Sequence, residues 1–276
     1  MTALVVNARM YAPAAAAAAA WRASFAWVAE RSGIALDPVD HGFPAPLEAL
    51  WARDDLGAVF MCGWPFARGA FTHAGARHRI VAAPVPAAPR YGDRPVYFTD
   101  FVVRADSEIR TLEDSFGGRL AYTVDHSQSG YNAPRHHLLR FRSADRPTLY
   151  AAVVGPCVTP RRVLDAVLDG AADVAPLDGY TLELMLRHTP GLGDRIRIVA
   201  STEPTPMPPL VASPGIPDAT VAALRAAFLA FGEAADTGAL RAELGLARFA
   251  VTAPADYDVT LAWAAEAEAA GYPVPG

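Results

Sequence analysis

Short, wholly apolar runs of strand length alternate along this chain with longer segments that have helical spacing. Residues 4–6 precede an alanine-rich helical pattern over 14–31, and residues 57–62 form a continuous apolar run. A run that is apolar at every position is typical of a strand covered on both faces. Strands that alternate with helices indicate a parallel sheet with helices packed against it. The sequence therefore predicts an α/β fold.

The same alternation extends over the rest of the chain. Further strands are predicted at 35–39, 96–103, 120–124, 149–154, 172–175 and 196–200. Further helices are predicted at 46–52, 111–116, 161–168, 179–187, 219–235, 239–244 and 257–270.

Two proline-rich segments divide this pattern. Residues 84–95 hold four prolines and residues 201–217 hold six, which predicts irregular connections because proline cannot donate a backbone hydrogen bond. We interpret both segments as crossings between two lobes that are joined by two hinge strands. The predicted first lobe is discontinuous, residues 1–100 plus 208–276, and the second lobe is residues 101–207.

Composition excludes several functions. Apolar residues make up 52% of the 276 residues, enough for a sizeable core. All 24 basic residues are arginine, so the chain has neither a phosphate-loop lysine nor a Schiff-base lysine. A net charge of −5 argues against a nucleic-acid partner. Cys62 and Cys157 are too few for a disulfide framework, and two buried thiols are expected.

No apolar stretch is long enough to span a membrane. The alanines of 14–20 follow Arg9 and weakly resemble a secretory signal, but alanine is the best helix former. We interpret them as the start of the first helix, since Trp21 and Phe25 continue the helical spacing. On this interpretation no export signal is visible. The location is then periplasmic if a signal has been removed, and cytoplasmic otherwise.

Sequence motifs for metals and cofactors are missing. Neither a G-x-G-x-x-G nor an H-E-x-x-H pattern occurs. His136 and His137 are adjacent, so on a helix they would point about 100° apart and would not chelate one ion. We therefore expect no metal and no cofactor.

The most informative local pattern is the polar segment that follows the strand predicted at 120–124. Ser127, Gln128 and Ser129 supply hydroxyl and amide groups, and Gly130 allows close approach of the backbone. The first N–H groups of a helix have no intrahelical acceptor and carry a partial positive charge, so they bind anions without lysine. The alternative is a plain helix cap, for which serine is also favoured.

Ser127-Gln-Ser-Gly-Tyr131 resembles a loop of the PhnD-like phosphate, phosphite and phosphonate substrate-binding proteins of ABC transporters. Other segments resemble that family in the same order, over roughly residues 3 to 235. They are residues 57–63, 97–106, 111–121, 166–178 and 204–211.

The resemblance implies a type 2 periplasmic-binding-protein fold, with two α/β lobes and a ligand held between them by hinge closure. It also implies that the segment 127–131 (Ser127, Gln128, Ser129, Gly130 and Tyr131) holds the anionic head of the ligand. Tyr97 would close over the ligand, His41 would take the place of another tyrosine, and Asp178 would meet a ligand amine. Ordinary alternatives are a strand aromatic, a loop histidine and a helix cap, respectively.

Tyr11, Gly63 and Trp64 lie at the ends of predicted strands in the first lobe and are further candidates for the ligand site. Trp64 and its neighbours are equally compatible with the core. An aromatic wall at this point would suit a ligand with an apolar or planar body.

One segment departs from the family pattern. Phosphonate binders carry a histidine just before the helix predicted at 161–168, whereas this chain has Pro160 at about that point. Thr159 or Arg161 is a substitute donor for an anion. The second half of the site is therefore altered, and the identity of the ligand stays open.

Three functions fit these residues. The favoured one is a monomeric solute-binding protein that takes a small anion, with an ABC transporter permease as a partner and no membrane span of its own. The second is an enzyme on the same fold, similar to the menaquinone-pathway dehydratases or the thiamine-pyrimidine synthases. It would use His41 and Asp178 as acid or base, or Cys157 as a weaker nucleophile. The third is a cytoplasmic ligand-sensing domain.

Overall fold

A computed structural model describes residues 3–72 and 76–276 of the chain. These residues form two compact units. The first unit runs to Val96 and resumes over Pro206–Tyr257, and the second comprises Tyr97–Thr205 and Asp258–Gly276. The C-terminal segment differs from our expectation, which assigned all of 208–276 to the first lobe. Asp258–Gly276 belongs to the second unit because its helix packs on the helix that follows the polar loop.

The elements are numbered in chain order. The strands are β1 (Leu4–Asn7), β2 (Leu36–Pro38), β3 (Leu56–Phe60), β4 (Arg79–Pro86), β5 (Val96–Tyr97), β6 (Thr99–Arg104), β7 (Arg119–Ala121), β8 (Ala152–Val154), β9 (Ala175–Asp178), β10 (Ile196–Ser201), β11 (Thr205–Pro206), β12 (Leu210–Ala212) and β13 (Leu246–Ala250). The α-helices are α1 (Ala15–Ser32), α2 (Leu47–Trp51), α3 (Gly63–Ala67), α4 (Ala133–Leu138), α5 (Pro160–Leu168), α6 (Gly179–His188), α7 (Leu192–Arg195), α8 (Asp218–Phe231), α9 (Gly238–Leu244) and α10 (Asp258–Ala269).

The first unit is built on one mixed sheet with the strand order β13-β4-β12-β3-β1-β2. Strands β2, β1 and β3 are parallel to one another. Strand β12 pairs antiparallel with β3, β4 pairs antiparallel with β12, and β13 pairs antiparallel with β4. Helix α1 covers the sheet with Trp21 and Phe25, whose rings contact Phe60 and Phe228. The helix ends at Gly33, which adopts a left-handed φ of 70° that favours glycine.

The second unit has a central strand, β6, that pairs antiparallel with β10 on one side and β9 on the other. Strands β7 and β8 are parallel, and a parallel bridge from Leu120 to Val174 joins them to the segment that leads into β9. Phe101 and Val102 are consecutive in β6 and lie in two different hydrophobic clusters. The sheet is therefore covered on both faces, as period-two alternation requires.

Most of the predicted elements are confirmed. Helix α1 begins and ends within one residue of the prediction, which supports the helical interpretation of the alanine run. Three predictions are wrong. Residues 111–116 contain a 3₁₀ turn at Glu113–Ser115 instead of a helix, the predicted connection 84–95 begins with the last residues of β4, and the predicted connection 201–217 contains β11 and β12. Within the described residues, the helices are too short or too polar to cross a membrane.

Candidate functional site

Three parallel strands of the first unit end at one edge of its sheet, and the predicted residues of this lobe follow them. A 3₁₀ turn, Arg9–Tyr11, comes directly after β1. His41 follows β2, and Gly63 opens α3 after β3. The carboxyl ends of adjacent parallel strands lie at the same edge of a sheet. The residues that directly follow these three strands therefore lie near one another.

The aromatic side chains at this edge lie in the core of the unit. Tyr11 is fully buried, with its ring edge-on to Phe60 at 4.8 Å between centroids. Trp21 Nε1 donates to the Tyr11 carbonyl oxygen over 2.8 Å. Trp64 is 7% exposed and lies beneath the guanidinium of Arg68. These contacts favour the core interpretation of both predicted residues over an aromatic wall.

His41 lies beside a small cavity of the first unit. Its Nε2 is 2.8 Å from the Pro46 carbonyl oxygen, and its own carbonyl oxygen accepts from Arg9 Nη1 over 3.2 Å. Desolvation by burial lowers the pKa of Arg9. The cavity of about 210 Å³ is also lined by Trp21 and Phe25. His41 therefore fixes the loop after β2 through its ring.

In the second unit, three helical segments begin at the carboxyl ends of β7, β8 and β9. Each has a side chain that caps it: Ser127 for the turn after β7, Thr159 for α5, and Asp178 for α6. Since these three strand segments are parallel, the helix N-termini gather at one edge of the sheet. Several positive helix ends at one edge create a site that favours an anion.

The predicted polar loop opens with a π-helical turn, Gln128–Asn132, that continues into α4. Ser127 Oγ accepts from Gly130 N over 3.0 Å, and the Ser127 carbonyl oxygen accepts from Asn132 N over 3.0 Å. Ser127 is thus the cap that the sequence predicted as the alternative to a ligand contact. Single π-helical turns inside α-helices are rare and occur often at functional sites.

Gly130 is required by a neighbour within the second unit. A Cβ atom at this position would lie 2.0 Å from Thr123 Oγ1 and 3.1 Å from Ser127 Oγ. Thr123 is buried, and its hydroxyl has no hydrogen-bond partner among the described residues. The glycine therefore allows close approach of Thr123, whereas the sequence motif predicted that it allows close approach of a ligand.

The other predicted residues of the loop make internal contacts. Gln128 is fully buried, and its Oε1 accepts from Asn132 Nδ2 over 2.8 Å. The Ser129 carbonyl oxygen accepts from Thr99 Oγ1 over 3.0 Å. Tyr131 Oη donates to the carbonyl oxygen of Pro273 over 2.6 Å, and burial raises the pKa of this phenol. The hydroxyl groups of Ser127 and Tyr131 are thus engaged within the unit, and the Ser129 side chain is half-buried.

Strand β6 brings Asp178 to the same region. Thr99, which holds the Ser129 carbonyl, is the register partner of Asp178 in the β6–β9 ladder. Asp178 Oδ1 accepts from Thr181 N over 2.8 Å, as a helix cap does. Tyr97 precedes Thr99 by two residues and is 1% exposed. The second unit thus gathers Ser127–Tyr131 and Asp178 around Thr99.

The segment that departs from the family pattern lies against the same loop. Cys157 N donates to the Tyr122 carbonyl oxygen, and Val158 N donates to that of Thr123. Thr159 Oγ1 accepts from Arg162 N over 3.3 Å, so it caps α5. Cys157 is a free, partly buried thiol whose pKa is raised by burial. Thr159 is therefore committed to its helix in the way that Ser127 and Asp178 are.

Three residues of this region, Thr99, Thr123 and Asn132, were not predicted from the sequence. Thr99 and Thr123 lie in strand-like segments, where threonine is an ordinary residue, and Asn132 follows the recognised motif by one position. In the described part of the chain, no three His, Cys, Asp or Glu side chains are grouped closely enough to hold a metal ion. The donors present are hydroxyl groups and helix amides, which suit an oxyanion.

Two α/β units, linked by a chain that passes from one to the other, define a solute-binding protein of the periplasmic-binding-protein fold. The family model described as "ABC transporter, phosphonate, periplasmic substrate-binding protein" matches residues 11–257. The chain therefore belongs to this family, and it is a substrate-binding component of the ABC-transporter type. No curated protein matches the chain.

Solved structures agree on the fold. A binding component of an ABC phosphonate transporter from Pseudomonas aeruginosa is 16% identical over 98% of this chain and 87% of that one, with a TM-score of 0.80. PhnD1 from Prochlorococcus marinus, in complex with methylphosphonate, is 13% identical over 96% and 98%, with a TM-score of 0.77. A Xanthomonas citri protein bound to ATP is 19% identical over 98% of both chains, with a TM-score of 0.66.

Proposed function

We propose that this chain binds a small tetrahedral oxyanion, a phosphonate or phosphate, at the segment 127–131 of its second unit. The observation that carries the proposal is the capped turn at Ser127, which directs the first N–H groups of a helical segment toward the carboxyl edge of parallel strands. Two further helices begin at that edge. The helix ends supply positive potential in a chain without lysine.

The role of each residue follows from its contacts. Backbone N–H groups of the turn and the Ser129 hydroxyl donate to the anion, in short hydrogen bonds that the negative charge strengthens. Ser127 orients the turn through its bond to Gly130 N. The segment 155–159 has no histidine, so we expect this side of the site to supply fewer donors to the anion than the family pattern implies.

We further propose that binding involves no covalent chemistry. The enzyme alternative relied on His41, Asp178 and Cys157. A His41 ring nitrogen lies 2.8 Å from a backbone carbonyl, Asp178 caps α6, and burial raises the pKa of the Cys157 thiol. None of these arrangements produces an activated base or nucleophile. Recovery of unchanged methylphosphonate after long incubation, followed by ³¹P NMR, tests this part.

The binding proposal is tested by thermal unfolding with phosphate, phosphite, methylphosphonate, 2-aminoethylphosphonate, a sulfonate and several anionic metabolites. A ligand at 100 times its Kd adds about 2.7 kcal/mol of stability. For a chain of this size we expect the melting temperature to rise by about 5–10 °C. The absence of a shift with every tetrahedral oxyanion would overturn the proposal.

Variants locate the site. Ser129→Ala is expected to weaken binding about tenfold, because it removes one hydrogen bond to a charged group. Ser107→Ala is the matched control, since Ser107 bonds only locally, to the Arg104 carbonyl oxygen. Equal affinity in Ser129→Ala and the control would place the anion elsewhere.

Family membership also supports a location and a partner. We propose that the chain acts in the periplasm as a monomer and delivers its ligand to an ABC transporter permease. Fractionation of the native host with an antibody to the chain tests the location. Light scattering of the purified protein tests the oligomeric state.

A further inference from the structure

The C-terminal segment, Asp258–Gly276, packs directly behind the predicted anion loop within the second unit. Tyr131 Oη and Arg135 Nη1 both donate to the carbonyl oxygen of Pro273, over 2.6 and 3.2 Å. Asn132 Nδ2 donates to the carbonyl oxygen of Thr260 over 2.9 Å. Three side chains at the start of one helix thus donate hydrogen bonds to backbone carbonyl oxygens of the same distant segment.

These contacts continue into the turn itself. Asn132 is fully buried, and its Nδ2 also donates to Gln128 Oε1, while its Oδ1 accepts from Arg135 Nη2 over 3.2 Å. Gln128 is the first residue of the π-helical turn. The hydrogen bonds therefore form a continuous path from Thr260 and Pro273 to the residue that follows the Ser127 cap.

The rest of the helical segment is held by the same C-terminal residues. The His136 ring stacks on Trp263, with centroids 4.7 Å apart and planes 6° apart, and its Nε2 lies 2.9 Å from Glu266 Oε2. Arg142 lies over the ring of Tyr272. A π-helical turn is an unusual conformation, so its geometry depends on contacts that neighbouring segments supply.

We propose that residues 258–273 position the anion loop, and that Tyr131 acts on ligand affinity through its bond to the Pro273 carbonyl oxygen. Tyr131 is then a positioning residue, whose hydroxyl group does not contact the ligand. This inference rests on the proposed function. It makes Thr260 and Pro273 part of the binding apparatus, although they are distant from the loop in sequence.

A double-mutant cycle on the full chain tests the proposal, with methylphosphonate and inorganic phosphate as probes in calorimetric titrations. Tyr131→Phe is expected to raise Kd about fivefold, the effect of one net hydrogen bond. Deletion of residues 273–276 removes the acceptor and is expected to raise Kd at least as much. Because both changes break the same bond, the combined variant should bind no more weakly than the deletion alone.

Two controls separate positioning from general damage. Deletion of residues 275–276 also creates a new C-terminal carboxylate but keeps the Pro273 carbonyl. Tyr150→Phe removes another buried tyrosine hydroxyl of the same unit, which bonds Ser115 Oγ over 3.0 Å. Both controls should leave Kd unchanged. Additive effects of Tyr131→Phe and the 273–276 deletion, or an unchanged Kd in Tyr131→Phe, would overturn the proposal.

The inference can fail separately from the proposed function. If the unaltered chain binds neither probe nor any other tetrahedral oxyanion of the thermal-unfolding series, the proposed function fails, and hydrogen exchange of the amides at 129–132 then decides the positioning role. Faster exchange in Tyr131→Phe and in the 273–276 deletion, but not in the two controls, supports it. Equal exchange rates in all variants contradict it.

Discussion

Gly130→Ala should be among the most damaging small substitutions in the second unit. The added Cβ would lie 2.0 Å from Thr123 Oγ1, about 1.5 Å inside the separation of about 3.5 Å at which non-bonded atoms attract one another. Thr123 is buried, and its backbone is held where Val158 N donates to the Thr123 carbonyl oxygen. We expect a loss of about 2–3 kcal/mol in the free energy of unfolding, at the upper end of overpacking effects.

The second substitution in this prediction is Thr123→Ala. It removes the 2.0 Å contact and leaves the Thr123 Cβ at 3.0 Å and Ser127 Oγ at 3.1 Å from the added methyl group. Shifts of a few tenths of an ångström relieve such contacts. The double variant should therefore recover about 1–2 kcal/mol relative to the sum of the single changes. It should also be more stable than Gly130→Ala alone.

Urea unfolding followed by circular dichroism measures these differences as changes in midpoint at constant slope. Gly193→Ala is the matched control in the same unit. Gly193 lies in helix α7, and its added Cβ would meet Leu186 Cδ2 at an ordinary contact distance of 3.8 Å. It should be neutral or slightly stabilising. A cost below about 0.5 kcal/mol for Gly130→Ala, or no recovery in the double variant, would refute the assignment of the glycine to Thr123.

Three other side chains should control stability in measurable ways. Burial lowers the pKa of His137 from 6.5 to about 4, so the folded state stays neutral where the unfolded state takes up a proton. As the pH falls from 6.5 to 4, His137 should therefore lower the free energy of unfolding by up to about 1.4 kcal/mol per pH unit, and a His137→Phe variant should show a correspondingly smaller pH dependence in urea titrations. Tyr257→Phe removes a buried hydroxyl that donates to the Met207 carbonyl oxygen over 2.8 Å, and thermal unfolding should report a cost of about 1–2 kcal/mol. Asp173→Ala removes the acceptor for Arg119 N and its guanidinium, at 2.7 and 2.9 Å, and should cost about 1 kcal/mol in the same assay.

The order and type of the elements could be read from the sequence because the evidence for them is local. Helix α1 has its boundary set by Gly33, and the apolar run at 57–62 matches β3. The errors arise where sheet pairing outweighs composition. Pro84 and Pro86 are compatible with β4, where they are the register partners of Phe249 and Leu246 in β13, and β12 itself contains no proline.

The side-chain directions of the candidate residues could not be read in the same way. Tyr11 and Trp64 were correctly placed after parallel strands, but the sequence did not show that both side chains are buried or that Tyr11 packs against the distant Phe60. The sequence also did not reveal that Gln128 turns inward to Asn132, because Asn132 is itself held by the carbonyl oxygen of the distant Thr260. A motif predicts which residues occupy a turn, whereas the direction of each side chain depends on residues distant in sequence.

The C-terminal segment shows how this limit affects functional interpretation. A helix was correctly predicted at 257–270, but which unit it joins depends on contacts such as the Asn132–Thr260 hydrogen bond, which spans 128 positions. Hydrogen bonds to this segment explain why the turn has a tyrosine at 131 and an asparagine at 132. Tyr131 and Asn132 supply the donors that two distant backbone carbonyls accept. On the proposed function, the sequence motif Ser127-Gln-Ser-Gly-Tyr131 combines residues that contact a ligand with residues that hold the turn. Affinity measured on Ser129→Ala and Tyr131→Phe, with stability measured alongside, separates these two roles.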